Sequence, residues 1–178
     1  MKSFLREFLL TLVLAIVIFF VLQATVQSFI VEGSSMEPSF SEGERILANK
    51  VVYHFHPPER GDVIIFHPPD NGPPDYIKRI VGLPGESVEI KQGTVYIYKN
   101  GKTHPLDEHA YIKAPPDYSM ERQKIPENEY FVLGDNRNNS NDSHNDWTVL
   151  EQDITGKVWF LMWPPGEWGL IPDYSLPK

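Results

Sequence analysis

The apolar and polar positions divide the chain near residue 31. From Phe8 to Leu22 the only polar residue is Thr11, and the run continues through Gln23, Thr25, Gln27 and Ser28 to Phe29, Ile30 and Val31. A membrane-spanning helix needs about 20 largely apolar residues, so a helical anchor is predicted over Phe8 to Ile30. Lys2 and Arg6 precede it, and the positive-inside rule then places the N-terminus in the cytoplasm and residues 32–178 outside. The competing pattern is a cleaved secretory leader, which is shorter and ends in small residues. Ala24 is the only small apolar residue near the end of the run, with Leu22 two positions before it. That is a poor cleavage site, and a retained anchor over 1–31 is the better reading.

Beyond residue 31 no helical period of useful length appears, and short β-rich runs bounded by turn residues take over. Arg45–Tyr53, Asp62–Phe66, Tyr76–Val81, Tyr130–Leu133 and Gly156–Met162 read as strands. Val88–Lys91 and Thr94–Lys99 flank Gln92-Gly93 as a hairpin, and Asn100-Gly101 marks the next turn. The expected fold is one compact all-β domain with irregular sheets behind a single N-terminal transmembrane helix. Residues 100–128, with Pro105, Pro115, Pro116 and Pro126, break this rhythm. They read as a surface excursion: a small sub-domain, a flap or a disordered loop.

Composition adds limits. The chain has 178 residues, enough for one modest domain and a short extra segment. Sixteen prolines and twelve glycines favour turns over long helices. The absence of cysteine excludes disulfides and thiolate metal sites. The net charge is −8; Lys2, Arg6 and Glu7 give residues 1–30 a charge of +1, so the remainder carries −9. Such a domain repels a phosphate backbone, so nucleic acid is not expected as a partner.

The candidate chemistry centres on Gly33-Ser34-Ser35-Met36-Glu37-Pro38, just past the apolar run. A serine hydroxyl is a weak nucleophile and needs an adjacent base. Six histidines are present, none in a triad context such as Gly-x-Ser-x-Gly. Lysine is the other base, provided burial lowers its pKa. Lys78 lies in Tyr76-Ile77-Lys78-Arg79-Ile80-Val81, where a strand puts Tyr76, Lys78 and Ile80 on one face. Strand alternation alone does not single out Lys78, because Ile77 and Val81 make the opposite face apolar too.

Four collinear blocks carry a resemblance. They are Ser35-Met36-Glu37-Pro38-Ser39, the run Arg60 to Phe66, the run Tyr76 to Glu86, and Gly134-Asp135-Asn136-Arg137-Asn138-Asn139-Ser140-Asn141-Asp142-Ser143. Behind an N-terminal anchor, they resemble the type I signal peptidases, serine proteases with a Ser-Lys dyad. The resemblance runs from the anchor to about Pro164 and implies the fold shared with self-cleaving repressor-type proteases. It makes Ser35 the nucleophile and Lys78 the general base. It makes Ser140 the residue that orients the lysine, Asp142 a buttress, and the Ser35 N–H an oxyanion donor. Ser34 is left with local backbone hydrogen bonding. The resemblance also implies secretory precursors as substrates, cut after an Ala-x-Ala-like motif, at a plasma membrane. Val31, Met36, Phe40, Tyr76 and Ile77 match the shallow pockets for those small side chains. No metal or cofactor is implied.

The chain departs from the family pattern at His144, where the family commonly has Arg, and in lacking the usual glycine after it. Asp142 and His144 are therefore expected to interact, with activity weakening above the histidine pKa. The aromatic run Val158–Trp168 suits either a final core strand or a bilayer contact. Two alternatives complete the reading. A self-cleaving repressor protease would carry a DNA-binding segment where this chain has an apolar one. A membrane-anchored, non-catalytic β module would leave the four blocks unexplained.

Overall fold

The computed structural model describes residues 2–69, 72, 74–172 and 174. Helix α1 (Lys2–Thr25) opens the chain and exposes its apolar side chains along its length. Its stretch Phe4–Thr25 is long and apolar enough to cross a membrane. At 1.5 Å per residue that stretch measures about 33 Å, against roughly 30 Å of hydrocarbon. Its hydroxyls bond back to the preceding turn, Thr11 to the Glu7 carbonyl at 3.0 Å and Thr25 to the Val21 carbonyl at 2.8 Å.

The helix stops at Thr25, short of the Ile30 end expected from hydropathy. Val26–Ile30 is instead strand β1, paired antiparallel with β2 (Arg45–Asn49). The polar residues Gln27 and Ser28 are exposed there, while Phe29 packs on the core. Hydropathy summed over the whole run hid this change of element.

The remaining strands are β3 (Val63–Phe66), β4 (Tyr76–Gly82), β5 (Ser87–Lys91), β6 (Thr94–Lys99) and β7 (Lys102–Pro105). They continue with β8 (Met120–Lys124), β9 (Glu129–Leu133), β10 (Val149–Leu150), β11 (Ile154–Trp163) and β12 (Gly169–Leu170). The main sheet runs β1-β2-β11-β3-β4-β9-β10, with β12 on β11. The strand expected over Arg45–Tyr53 ends at Asn49, because the Asn49 side chain accepts the Val51 and Val52 N–H groups and turns the chain.

The second sheet runs β7-β6-β5-β8. Its hairpin turns at Gln92-Gly93, with φ of 50° and 74°, the two left-handed residues that a two-residue hairpin turn requires. Residues 100–128 are not a mere excursion. They supply both edges of this sheet, β7 and β8, and they bury Leu106 and Ile125 with Val88, Ile90 and Phe131.

Strand β4 is covered on both faces. Ile77 packs in one core with Val31, Met36 and Phe40, whereas Ile80 packs in another with Ile64, Phe66 and Val132. That explains why both faces of its sequence carry apolar residues, and it places Lys78 inside the protein.

Candidate active site

Ser35 lies in the loop between β1 and β2. Backbone bonds pin this loop, Val31 N–H to the Glu44 carbonyl at 2.8 Å and Gly43 N–H to the Val31 carbonyl at 2.9 Å. Met36 and Phe40, each 1 % exposed, anchor it from below. A second loop, 134–142, closes over it. Asn136 N–H donates to the Ser35 carbonyl at 3.0 Å, and the Asn136 amide donates to the Ser34 carbonyl at 3.0 Å. The Asn139 amide donates to the Ser34 hydroxyl at 2.9 Å. Ser34 thus bonds to the far loop through its hydroxyl and carbonyl, while its carbonyl also accepts the local Glu37 N–H at 3.2 Å.

Lys78 Nζ donates to Ser35 Oγ at 2.7 Å and to the Ile77 carbonyl at 2.9 Å. The lysine is 4 % exposed. Burial pulls its pKa down to about 8, against the opposing pull of Asp142 and Asp135. On a lysine inside a β-sheet this is the chemistry of a base, because the neutral amine becomes accessible near neutral pH.

Gly134 sits at the seam. A Cβ on it would fall 2.3 Å from Ser140 Oγ and 2.4 Å from the Ser35 carbonyl oxygen. No side chain fits there, so the two loops touch backbone to backbone. Ser140 Oγ is buried and finds no hydrogen-bond partner among the described residues. The ammonium's available contacts go to Ser35 and the Ile77 carbonyl, and the expected Ser140–Lys78 bond is not made. Asp142 is fully buried; it accepts the Gly134 N–H at 2.9 Å and meets His144 Nδ1 at 2.6 Å.

Ion pairs fix the 134–142 loop. Arg79 grips Asp135 at 2.9 and 2.6 Å, and Arg137 grips Glu108 with two bonds of 2.6 Å. The Tyr111 ring lies 4.3 Å from the Arg79 guanidinium, and its hydroxyl donates to Glu108 at 2.8 Å. Sequence reading missed Glu108 and Tyr111, which sit in the proline-broken segment and carry no spacing signal.

A groove of ≈ 470 Å³ leads to Ser35. Residues 28–32 form one wall and residues 74–78 the other, with Ile46 and Ile65 in the floor. β1 is an outer strand of its sheet, and β9 pairs with β4 only from Arg79 onward. Both walls therefore offer free strand edge to an extended peptide. Val31, Tyr76 and Ile77 line the groove as expected. Met36 and Phe40 do not; they lie buried beneath the serine loop. Phe29, Ile30, Ile46 and Ile65 were missed, because only the sheet topology shows that they meet here.

A serine beside a buried lysine at a peptide-width groove suits a hydrolase of peptide bonds, and the sequences of known proteins point to that class. The family model for signal peptidase, peptidase S26, matches residues 5–163. Signal peptidase I of Leptolyngbya laminosa is 41 % identical over 169 residues, covering 86 % of this chain and 81 % of that protein. Signal peptidase IB of Staphylococcus aureus is 34 % identical over 183 residues, covering 94 % of each. A solved signal peptidase I from Enterococcus faecalis has 34 % identity and a TM-score of 0.44, covering 56 % of this chain and 95 % of that one. The chain belongs to the signal peptidase family, peptidase S26. Its activity is that of a signal peptidase I, a peptide-bond hydrolase, which removes the repressor and non-catalytic readings.

Proposed function

We propose that Ser35 is the nucleophile and Lys78 the general base of this peptidase. The observation that carries the reading is the 2.7 Å contact between Ser35 Oγ and the Nζ of a lysine whose pKa is pulled down to about 8. Neutral Lys78 takes the Ser35 proton as Oγ attacks the scissile carbonyl carbon. The tetrahedral oxyanion takes a hydrogen bond from the Ser35 N–H. Lys78 then returns that proton to the leaving amine, the C–N bond breaks, and the mature protein departs. A water molecule, deprotonated by Lys78, attacks the ester carbonyl, and Ser35 leaves with its proton restored. Ser140 Oγ, buried and without a hydrogen-bond partner among the described residues, takes the ammonium when Lys78 is charged, and Asp142 holds the loop in place.

The substrates are secretory precursors, bound extended along the groove with small side chains directed at its floor. Val31, Tyr76 and Ile77 narrow that floor, and narrow apolar pockets reject bulk sterically. The test is separate replacement, Ser35→Ala and Lys78→Ala, in cleavage of a secretory precursor. Each is expected to abolish product; residual cleavage by either variant at more than about 1 % of the parent rate would overturn the dyad.

Helix α1 anchors the enzyme, with Lys2 and Arg6 on the cytoplasmic side and residues 32–178 outside. Trp163 and Trp168, 53 % and 61 % exposed beside Ile30, suit the headgroup layer of the same bilayer. The cysteine-free chain makes topology easy to read. His109→Cys, at an exposed position, should react with an impermeant maleimide on intact cells, and protection there would reverse the orientation. Vesicle binding by protein lacking residues 1–25 should fall on Trp163→Ala and Trp168→Ala; unchanged binding removes the headgroup contact.

A further inference from the structure

Asp142 divides its carboxylate between two partners. Oδ2 accepts the Gly134 N–H at 2.9 Å, while Oδ1 accepts the His144 backbone N–H at 3.2 Å and meets the His144 ring Nδ1 at 2.6 Å. Gly134 is the residue wedged against both Ser35 and Ser140. Tyr118 stacks on the imidazole, with ring centroids 4.4 Å apart and planes inclined by 26°. Tyr118 comes from the segment leading into β8, so the ring contact joins the second sheet to the dyad. Its hydroxyl is buried and finds no partner among the described residues. The ring face, not the hydroxyl, is what Tyr118 offers here.

We propose that His144, clamped between Tyr118 and Asp142, is a positioning residue for the Ser35–Lys78 pair and acts in its imidazolium form. This rests on the reading of that pair as the reacting groups. A fully buried carboxylate needs a counter-charge. The imidazolium supplies one, and an aromatic face favours a cation above it. Asp142 also acts on Lys78, where its negative charge favours the ammonium. An imidazolium offsets that field and helps keep Lys78 neutral. When His144 loses its proton, Asp142 loses its counter-charge, its hold on Gly134 slackens and Lys78 shifts toward the inactive ammonium.

Among the described residues, the titratable groups that meet His144 are Asp142 on its own turn and Tyr118 from the segment leading into β8. Beyond them, Lys78 of β4 feels Asp142, and Arg137, Glu108 and Asp117 act on Tyr118. The hydrogen bond to Asp142 holds the His144 proton above the ordinary histidine range, with burial opposing it. The active microstate combines charged His144 with neutral Lys78. Activity therefore rises as Lys78 deprotonates and falls as His144 does, and the two titrations are coupled.

The test compares the full chain in detergent with His144→Arg, His144→Gln, Tyr118→Phe and Tyr118→Leu. The readout is kcat/KM for a secretory precursor against pH. His144→Arg, with a charge that does not titrate, should lose the alkaline decline and keep its acid limb. His144→Gln should move the acid limb upward by about half a pH unit and lower kcat roughly 10-fold with KM little changed. Tyr118→Phe should behave as the parent, whereas Tyr118→Leu should bring the alkaline decline to lower pH. A readout without turnover is NMR titration of the labelled Lys78 side chain. Its pKa, pulled down to about 8 in the parent, should rise in His144→Gln and hold in His144→Arg. Coincident pH profiles or coincident Lys78 titrations across the parent and both His144 variants would overturn the proposal. The NMR result stands whether or not the precursor is cleaved, so it separates this proposal from the dyad assignment.

Discussion

Arg137 and Glu108 are joined by two hydrogen bonds of 2.6 Å, with both side chains buried. The pair links the segment between β7 and β8 to the loop that closes over Ser35. Arg137 also donates to the Gly134 carbonyl at 3.1 Å, so the link ends at the seam of the site. Glu108→Gln leaves a guanidinium buried without its counter-charge, and breaking such a pair costs about 3–5 kcal/mol. Thermal unfolding of the full chain in detergent, followed by tryptophan fluorescence, should show that loss together with reduced cleavage. An unchanged midpoint would mean that the pair does not hold the loop.

Gly134→Ala places a methyl where the Ser35 carbonyl and Ser140 Oγ already lie, at 2.4 and 2.3 Å. One of the two loops must move. Overpacking costs about 1–3 kcal/mol, but a displacement at the dyad costs far more in rate, on the order of 100-fold. Cleavage near the parent rate in a folded Gly134→Ala protein would contradict the close fit.

Ser140→Ala separates function from stability. The hydroxyl is buried with no partner among the described residues, so removing it relieves a desolvated group and should leave the unfolding midpoint level or slightly raised. The rate should fall by about 10-fold or more, since the lysine loses the acceptor proposed for its charged form. A matched loss of stability and activity would assign Ser140 a packing role.

Lys78 costs the folded state stability. Its pKa falls from 10.5 to about 8 on burial, so folding disfavours the proton. The cost is complete below pH about 8 and gone above pH about 10.5. The shift corresponds to roughly 3 kcal/mol. Lys78→Met should therefore raise the unfolding midpoint at pH 6–7 by up to that amount, less the lost bonds to Ser35 and Ile77. The gain should shrink as pH approaches about 10. A variant that is less stable at pH 6, or whose gain does not change with pH, would argue against a strained base.

Local chemistry was legible where it was strong. Gln92-Gly93 and Asn100-Gly101 fixed two hairpins, because left-handed residues admit few turns. Tyr76 to Val81 was recognisable as a strand, although its alternation could not show which face held functional side chains, since the sheet buries both. Ser35 and Lys78 were reached through motif blocks, not from periodicity. β1 was hidden at the end of an apolar run, where a helix and an edge strand share the same residues. β8, Met120–Lys124, carries a mostly polar sequence because much of it is exposed at a sheet edge, so it offered no pattern. The Asp142–His144 contact was predictable from two neighbouring residues; Tyr118 on the far side of the ring was not, because only tertiary packing brings it there.

In the proposed dyad, Ser35 activated by Lys78 becomes the acyl carrier. Rapid quenching in acid during cleavage of a secretory precursor, followed by digestion and mass spectrometry, reads this directly. A signal-peptide ester is expected on Ser35 and is absent from Ser35→Ala and Lys78→Ala. An ester on Ser34 or another side chain, or product formed by Ser35→Ala, would contradict it.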